Sequence, residues 1–437
     1  MDHPRSRPAH GVGPGLAASL SLLALLTACS PSGAVDRPAH AADPVVVGAD
    51  VLLRDSLELV RGRRVGLITN QTGRATARAG SSADSAVSTV SLLFDHPDLD
   101  LVALYSPEHG IEGVVREGER VASGRHAETG LPVYSLYDET NEPLPSMLEG
   151  VEMLLFDIQD VGARYYTYVW TMALALRAAG AAGIPFVVLD RPNPIGGELV
   201  QGNVLDTAFA TFVGLHPVPM RHGMTVGEVA RLVHAHWEPR AELHVVQMKG
   251  WKREMWYEDT GLQWVAPSPN MPSVESATHY PGTCLLEGTG LSVGRGTERP
   301  FQWVGAPWLD GEELAERLNA YGFPGVRFEA VQFTPNAPSD GKFAGSEVRG
   351  VRFVATEREL YDPTLAALAA VIEARQLARA LPGDPWEWNA AHFDRLAGTD
   401  RVRRLVEQGT SLDSLVAVWD AQLRAFRTLR RPSLLYR

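Results

Sequence analysis

Residues 153–194 read MLLFDIQDVGARYYTYVWTMALALRAAGAAGIPFVVLDRPNP. The apolar run 153–156 is short enough for a buried strand, and 186–189 is another. Between them, 165–182 has the length and residue types of a helix, closed by Gly183 ahead of Ile184 and Pro185. Strand, helix, strand on this scale predicts a parallel sheet covered on both faces. Each strand also runs straight into polar residues. Asp157, Gln159, Asp160 and Arg164 follow the first, and Asp190, Arg191 and Asn193 follow the second.

The same alternation extends outward from this unit. Buried-strand runs recur at 65–69, 101–105 and 243–247. Residues 86–94 are helical in pattern, and a further helix starts at Thr225, with Glu228 three residues on as a capping box, and runs to about Trp237. Beyond about residue 283 the pattern changes. The Gly-rich stretch 287–297 and Pro-rich, Trp-containing loops precede alternating runs at 326–333 and 348–354, then helices at 365–380 and 412–429. Residues 45–282 are therefore expected to form an α/β domain with a parallel sheet, and 283–437 a smaller α+β domain packed beside it.

The N-terminus has the features of an export signal. Arg5 and Arg7 precede an apolar stretch from Leu16 to Leu26, followed by Thr27, Ala28 and Cys29. The stretch is short for a bilayer span. Leu26-Thr27-Ala28-Cys29 resembles the bacterial lipobox, in which the cysteine is lipidated. The expectation is a signal peptide over 1–28, lipidation at Cys29, and a Pro/Ala/Ser-rich tether over 29–44 holding an exported protein to a membrane surface. Cys284 is then the only remaining thiol.

Composition narrows the function. The chain has 437 residues, 45% hydrophobic and 21% charged, which suits a globular protein of two or three domains. Lys plus Arg total 40 against 52 for Asp plus Glu, a formal charge of −12, so the footprint of a nucleic-acid binder is missing. Two cysteines make neither a disulfide framework nor a cysteine-rich zinc site. His234 and His236 sit two apart on a helix and face different sides, so no metal site is expected. No G-x-G-x-x-G follows the first strand and no P-loop is present, so no nucleotide cofactor is expected. Gly290-Leu291-Ser292-Val293-Gly294 matches a serine nucleophile elbow, but Arg295 to Pro300 cannot open the helix that an elbow needs.

What remains is the set of strand-end loops: Asn70 and Gln71, then Glu108 and His109, then Asp157 to Arg164, then Asp190 to Asn193. In an open parallel sheet these share one edge, where ligands bind. Glu108 lies between Pro107 and His109 on a turn ended by Gly110, a rigid placement. A carboxyl in a partly desolvated cleft protonates a leaving oxygen near neutral pH. Asp157 or Asp160 is a candidate second carboxylate for glycosidic cleavage, or else a helix cap or arginine partner. Arg164 and Arg191 are candidate anion contacts, or else partners of Asp160 and Asp190.

The loops are also specific strings: GLITNQTG (66–73), SPEHGIEG (106–113), FDIQDVGARYYTY (156–168), LDRPNPIGG (189–197), RHGMTVGE (221–228), SPNMPS (268–273) and YPGTCLLEGTGLSVGRGTERPFQWVGAPW (280–308). In this order they resemble the exo-β-N-acetylmuramidase family of the NamZ type. The resemblance implies a Rossmann-like domain without nucleotide, a smaller C-terminal domain, and an active cleft between them. It implies removal of N-acetylmuramic acid from the non-reducing ends of peptidoglycan fragments. The glutamate of the SPEHG motif falls on Glu108 as general acid. His109, Asp157, Asp160, Arg164, Asp190, Arg191 and Asn193 match other motif positions. Asp160 or Asp157 would stabilise charge at the anomeric carbon or activate water, and a route using the sugar's own 2-acetamido group is equally open. Arg164, Arg191 and Arg295 are the candidates for the lactyl carboxylate, with Asn70, Gln71, Asp190 and Asn193 as further sugar contacts. Glu112 departs from the family, which often carries Arg there. Two alternatives are a non-catalytic wall-fragment-binding lipoprotein and a hydrolase using Ser292.

Overall fold

The structure is a computed structural model and describes residues 44–76 and 86–437. The signal segment and Cys29 lie outside the described residues. Asp43–Arg437 forms one compact unit.

Seven strands make the main sheet: β1 (Arg64–Thr69), β2 (Asp100–Ser106), β3 (Gly124–Arg125), β4 (Pro132–Ser135), β5 (Met153–Asp157), β6 (Phe186–Leu189) and β7 (Leu243–Val246), in the order β7-β6-β5-β1-β2-β4-β3. All pairs are parallel except the edge strand β3 against β4. The six parallel strands follow the Rossmann order 3-2-1-4-5-6. β1 and β5 are buried at nearly every position, which is why they read as continuous apolar runs rather than alternating ones.

The helix Tyr168–Ala182 joins β5 to β6, and its first nine residues are all buried. A helix apolar on every side belongs inside a molecule, and this one packs against β6 and the helix Val226–His236. Gly183 ends it in the left-handed conformation at φ 70°. The helix Val226–His236 opens with the expected capping box: the Glu228 amide donates to Thr225 Oγ1 at 3.2 Å, and the Thr225 amide to Glu228 Oε2 at 3.1 Å.

The C-terminal part holds a three-stranded antiparallel sheet, Trp303–Ala306, Val348–Ala355 and Val326–Phe333, with the helix Gly311–Asn319 against it and helices Val274–Thr283 and Pro363–Ala380 packed on one another. One hydrophobic cluster runs from Tyr168 and Trp170 through Leu285 and Phe301 to Ala370 and Phe393. A single core thus spans both parts, and the cleft described next opens at their seam.

Candidate active site

The loop leaving β2 carries Glu108. His109 and Gly110 follow it in the left-handed conformation at φ 71° and 78°. Histidine tolerates that region better than a β-branched residue does. The turn is pinned by Gly110 N–H donating to the Pro107 carbonyl at 3.1 Å and Val115 N–H donating to the His109 carbonyl at 3.1 Å. The His109 ring holds the same segment, its Nδ1 lying 2.7 Å from the Val115 carbonyl. The Glu108 carboxyl is thereby aimed into a cleft and is 8% exposed. Oε1 accepts from the Gly118 amide at 3.0 Å, and Oε2 from the Thr167 hydroxyl at 2.7 Å. Tyr137 lines the same cleft; burial, and then the Glu108 charge, push that phenol well above its ordinary value.

The cleft has a volume of about 220 Å³. Glu108, Tyr137 and Tyr166 line it from the sheet side, and Glu287, Arg295 and Arg395 from the C-terminal part. Arg295 is gripped from two sides. Its guanidinium lies 2.7 Å from Glu117 Oε1 and 2.5 Å from Glu287 Oε1, and it sits over the Phe301 ring at 5.1 Å. Burial alone would raise the Glu287 carboxyl, but Arg295 outweighs it and holds that group below its ordinary range. Glu117 also accepts from Asn270 at 3.1 Å and from the Ser339 hydroxyl. Lys342 spends its ammonium on the carbonyls of Glu287, Thr289 and Leu291 at 3.0, 2.8 and 2.9 Å.

Of the residues expected at the site, Glu108, His109 and Arg295 line this cleft. Asp160 lies behind it. Its Oδ2 accepts from Gly162 N–H at 2.7 Å, with His222 Nε2 at 3.7 Å, while Oδ1 is buried without a partner. Burial, then Asp160 and Glu108, raise the Tyr166 phenol, so this cleft-lining tyrosine feels both carboxyls.

The other expected residues hold the loops together, and their placement corrects the expectation. Asp157 is fully buried and takes a forked pair from Arg191 at 2.6 and 2.9 Å; Arg191 also donates to the Arg74 carbonyl and faces a separate, smaller hollow beside Tyr257. Arg164 is sealed behind the wall, donating to the carbonyls of Asn203, Val218 and Leu396 at 2.8, 3.0 and 2.8 Å. Asp190 accepts from the amides of Arg191 and Gly227 and the hydroxyls of Thr225 and Tyr436. Asn193 bridges Met224 and Ile195. Asn70 accepts from the Thr72 amide and hydroxyl, and Gln71 donates to the Ala266 carbonyl at 2.8 Å. The common reason is burial: loops packed this deeply need partners for their own backbone, and strand-end Asp, Asn and Arg supply them.

Ser292 is also withdrawn. It is 1% exposed, bridged through its backbone to Gly305, and its hydroxyl accepts from Gly294 N–H at 3.1 Å. No helix follows it, so it is not a nucleophile elbow.

Several cleft residues escaped the sequence reading. Thr167 lies inside the YYTY string, and Glu117 on the Glu108 loop; proximity in sequence was the available signal. His392 and Arg395 come from the helix Ala390–Ala397, which nothing in the sequence ties to a loop so far upstream.

The chain was compared with known proteins. The family model described as exo-beta-N-acetylmuramidase NamZ, N-terminal, matches residues 65–275, and its C-terminal companion matches 278–436. Over 417 residues the chain is 42% identical to the peptidoglycan beta-N-acetylmuramidase NamZ of Bacillus subtilis (strain 168), covering 95% of this chain and 97% of that protein. Two solved structures are similar, both DUF1343 family proteins from Bacteroides fragilis NCTC 9343. One is 35% identical with a TM-score of 0.82, the other 28% identical with a TM-score of 0.69, and each match covers 90% of this chain and 99% of that one.

Proposed function

The chain belongs to the exo-beta-N-acetylmuramidase NamZ family, and from that premise we propose how its cleft works as a glycoside hydrolase. The enzyme hydrolyses the β-glycosidic bond after a terminal N-acetylmuramic acid on peptidoglycan fragments. One observation supports Glu108 as the acid: among the described residues, it is the one carboxyl on the cleft wall that no arginine holds. Glu117 and Glu287 are both spent on Arg295. An acid must carry a proton to give one, and a carboxylate locked to a guanidinium does not.

Glu108 protonates the leaving glycosidic oxygen as the bond to the anomeric carbon breaks. With no second free carboxyl on the wall among the described residues, the sugar's own 2-acetamido oxygen serves as the nucleophile. It closes on the anomeric carbon, and water then reopens the ring while Glu108 takes back a proton. Asp160, behind the cleft-lining Tyr166, acts on that group through the tyrosine instead of attacking.

A chromogenic β-N-acetylmuramide, with the β-N-acetylglucosaminide as control, tests this reading in wild type and Glu108→Gln. Release from the muramide, with kcat reduced about 10²- to 10⁴-fold in the variant, supports the acid role. Unchanged release in the variant removes Glu108 from it. Binding of a muramyl disaccharide by calorimetry without any turnover favours a sugar-binding lipoprotein instead.

Cys29 and its neighbours fit an exported lipoprotein held at a membrane surface, with the acidic chain facing wall fragments. Cys29→Ser should move the protein from the membrane to the soluble fraction. An unchanged distribution refutes the anchor.

A further inference from the structure

Resting on the muramidase reading, we infer that Arg395 receives the lactyl carboxylate of the substrate and sets its preference for N-acetylmuramic acid over N-acetylglucosamine. The two sugars differ by that single anionic group, so discrimination requires a cation in reach of the bound ring. Four arginines and a lysine are near enough to consider, and the structure removes all but one. Arg164 and Arg191 lie outside the cleft, Arg164 donating to three carbonyls and Arg191 paired with Asp157. Arg295 lines it, but two carboxylates already neutralise it. The ammonium of Lys342 donates to three carbonyls.

Arg395 differs from these. It lines the cleft, is exposed, and has no carboxylate partner among the described residues. Its one recorded contact is a donation from Nη2 to Nδ1 of His392. An arginine always donates, so the His392 proton sits on Nε2. Burial, reinforced by Arg395, Lys342 and Arg295 against Glu287, lowers the His392 pKa, and an imidazole acceptor, unlike a carboxylate, leaves the arginine's charge uncancelled. Arg395 also acts electrostatically on Tyr137, which lines the cleft with Glu108. The free cation therefore faces the acid across one cleft, as it must if both touch one sugar. A guanidinium fork fits a carboxylate with two parallel hydrogen bonds, and an ammonium does not reproduce that geometry.

The test is the ratio of kcat/KM for the β-N-acetylmuramide to that for the β-N-acetylglucosaminide. In Arg395→Gln the ratio should fall about tenfold or more, carried mainly by KM for the muramide, with Arg395→Lys in between. The methyl ester of the lactyl group provides a second readout. Wild type should discriminate against the ester, and Arg395→Gln should not. A variant that keeps the wild-type ratio, and still distinguishes acid from ester, overturns the inference while the muramidase reading stands. If wild type cleaves neither sugar, that reading fails. Calorimetry with muramyl and chitobiosyl disaccharides still decides on Arg395, because equal affinities in wild type and Arg395→Gln overturn it.

Discussion

Glu108 is held by small donors, an amide and a hydroxyl, where its neighbours Glu117 and Glu287 are held by a guanidinium. On the proposed mechanism, that difference separates one reactive carboxyl from two structural ones in the same cleft. Thr167→Val removes the donor to Oε2 while keeping shape, and kcat should fall about 3- to 10-fold with KM little changed. Steady-state kinetics on the muramide checks this. Asp190 makes a different prediction. Burial outweighs its four donors and raises it from 3.8 to about 6. A carboxyl raised in the folded state takes up its proton more readily there than in the unfolded chain. Its contribution is full below pH 3.8 and is lost as pH rises through about 6. The loss is on the order of 3 kcal/mol at about 1.4 kcal/mol per tenfold. Denaturant midpoints between pH 4 and 7 should show this slope in wild type, and Asp190→Asn should flatten it. The sequence put Glu108 on a loop that lines the cleft, because that loop is local. It misplaced Asp157, Arg164 and Arg191, because the residues that use up their hydrogen bonds lie far away in sequence.

Elements were legible where burial is one-sided or complete. The central strands β1, β2, β5 and β6 fall within a residue of the apolar runs that announced them. β4 did not announce itself, because Pro132–Ser135 buries only alternate residues and has no apolar run. The helix expected over 86–94 begins at Thr89. Val87–Ser88 pairs with Arg74–Ala75 instead, and the Ser88 hydroxyl caps the helix by accepting from Val90 N–H at 3.1 Å. The helix expected over 412–429 is broken into Leu412–Val416 and Trp419–Arg430. Helix packing gives a further prediction. A Cβ on Gly282 would run into the Pro363 carbonyl, where the helix Val274–Thr283 seats on Pro363–Ala380. Alanine is the better helix former by about 0.5–1 kcal/mol, but overpacking costs about 1–3 kcal/mol. Gly282→Ala should therefore lower stability by about 1–2 kcal/mol in denaturant titration, against its propensity.

At the scale of the whole molecule, one core and a closing tail bind the two parts together. Arg430 donates to the carbonyls of Gly197, His222 and Gly223, and the Leu435 amide donates to Glu228 Oε1 at 2.8 Å. The Tyr436 hydroxyl donates to Asp190 Oδ2 at 2.6 Å and accepts from the Met248 amide at 3.0 Å. Calorimetry should therefore show a single unfolding transition for residues 45–437. Tyr436→Phe strands both Asp190 and that amide, and should destabilise the fold by about 1–3 kcal/mol without splitting the transition. Two separate transitions would mean that the shared core does not couple the parts.

The tail also ties folding to biosynthesis. Residues 430–436 are made after the loops they complete, some two hundred residues beyond Gly197, Glu228 and Asp190. Until they dock, Asp190 lacks one donor and Glu228 Oε1 lacks the Leu435 amide. Removing these few residues leaves the same groups unpartnered in every later encounter with proteases.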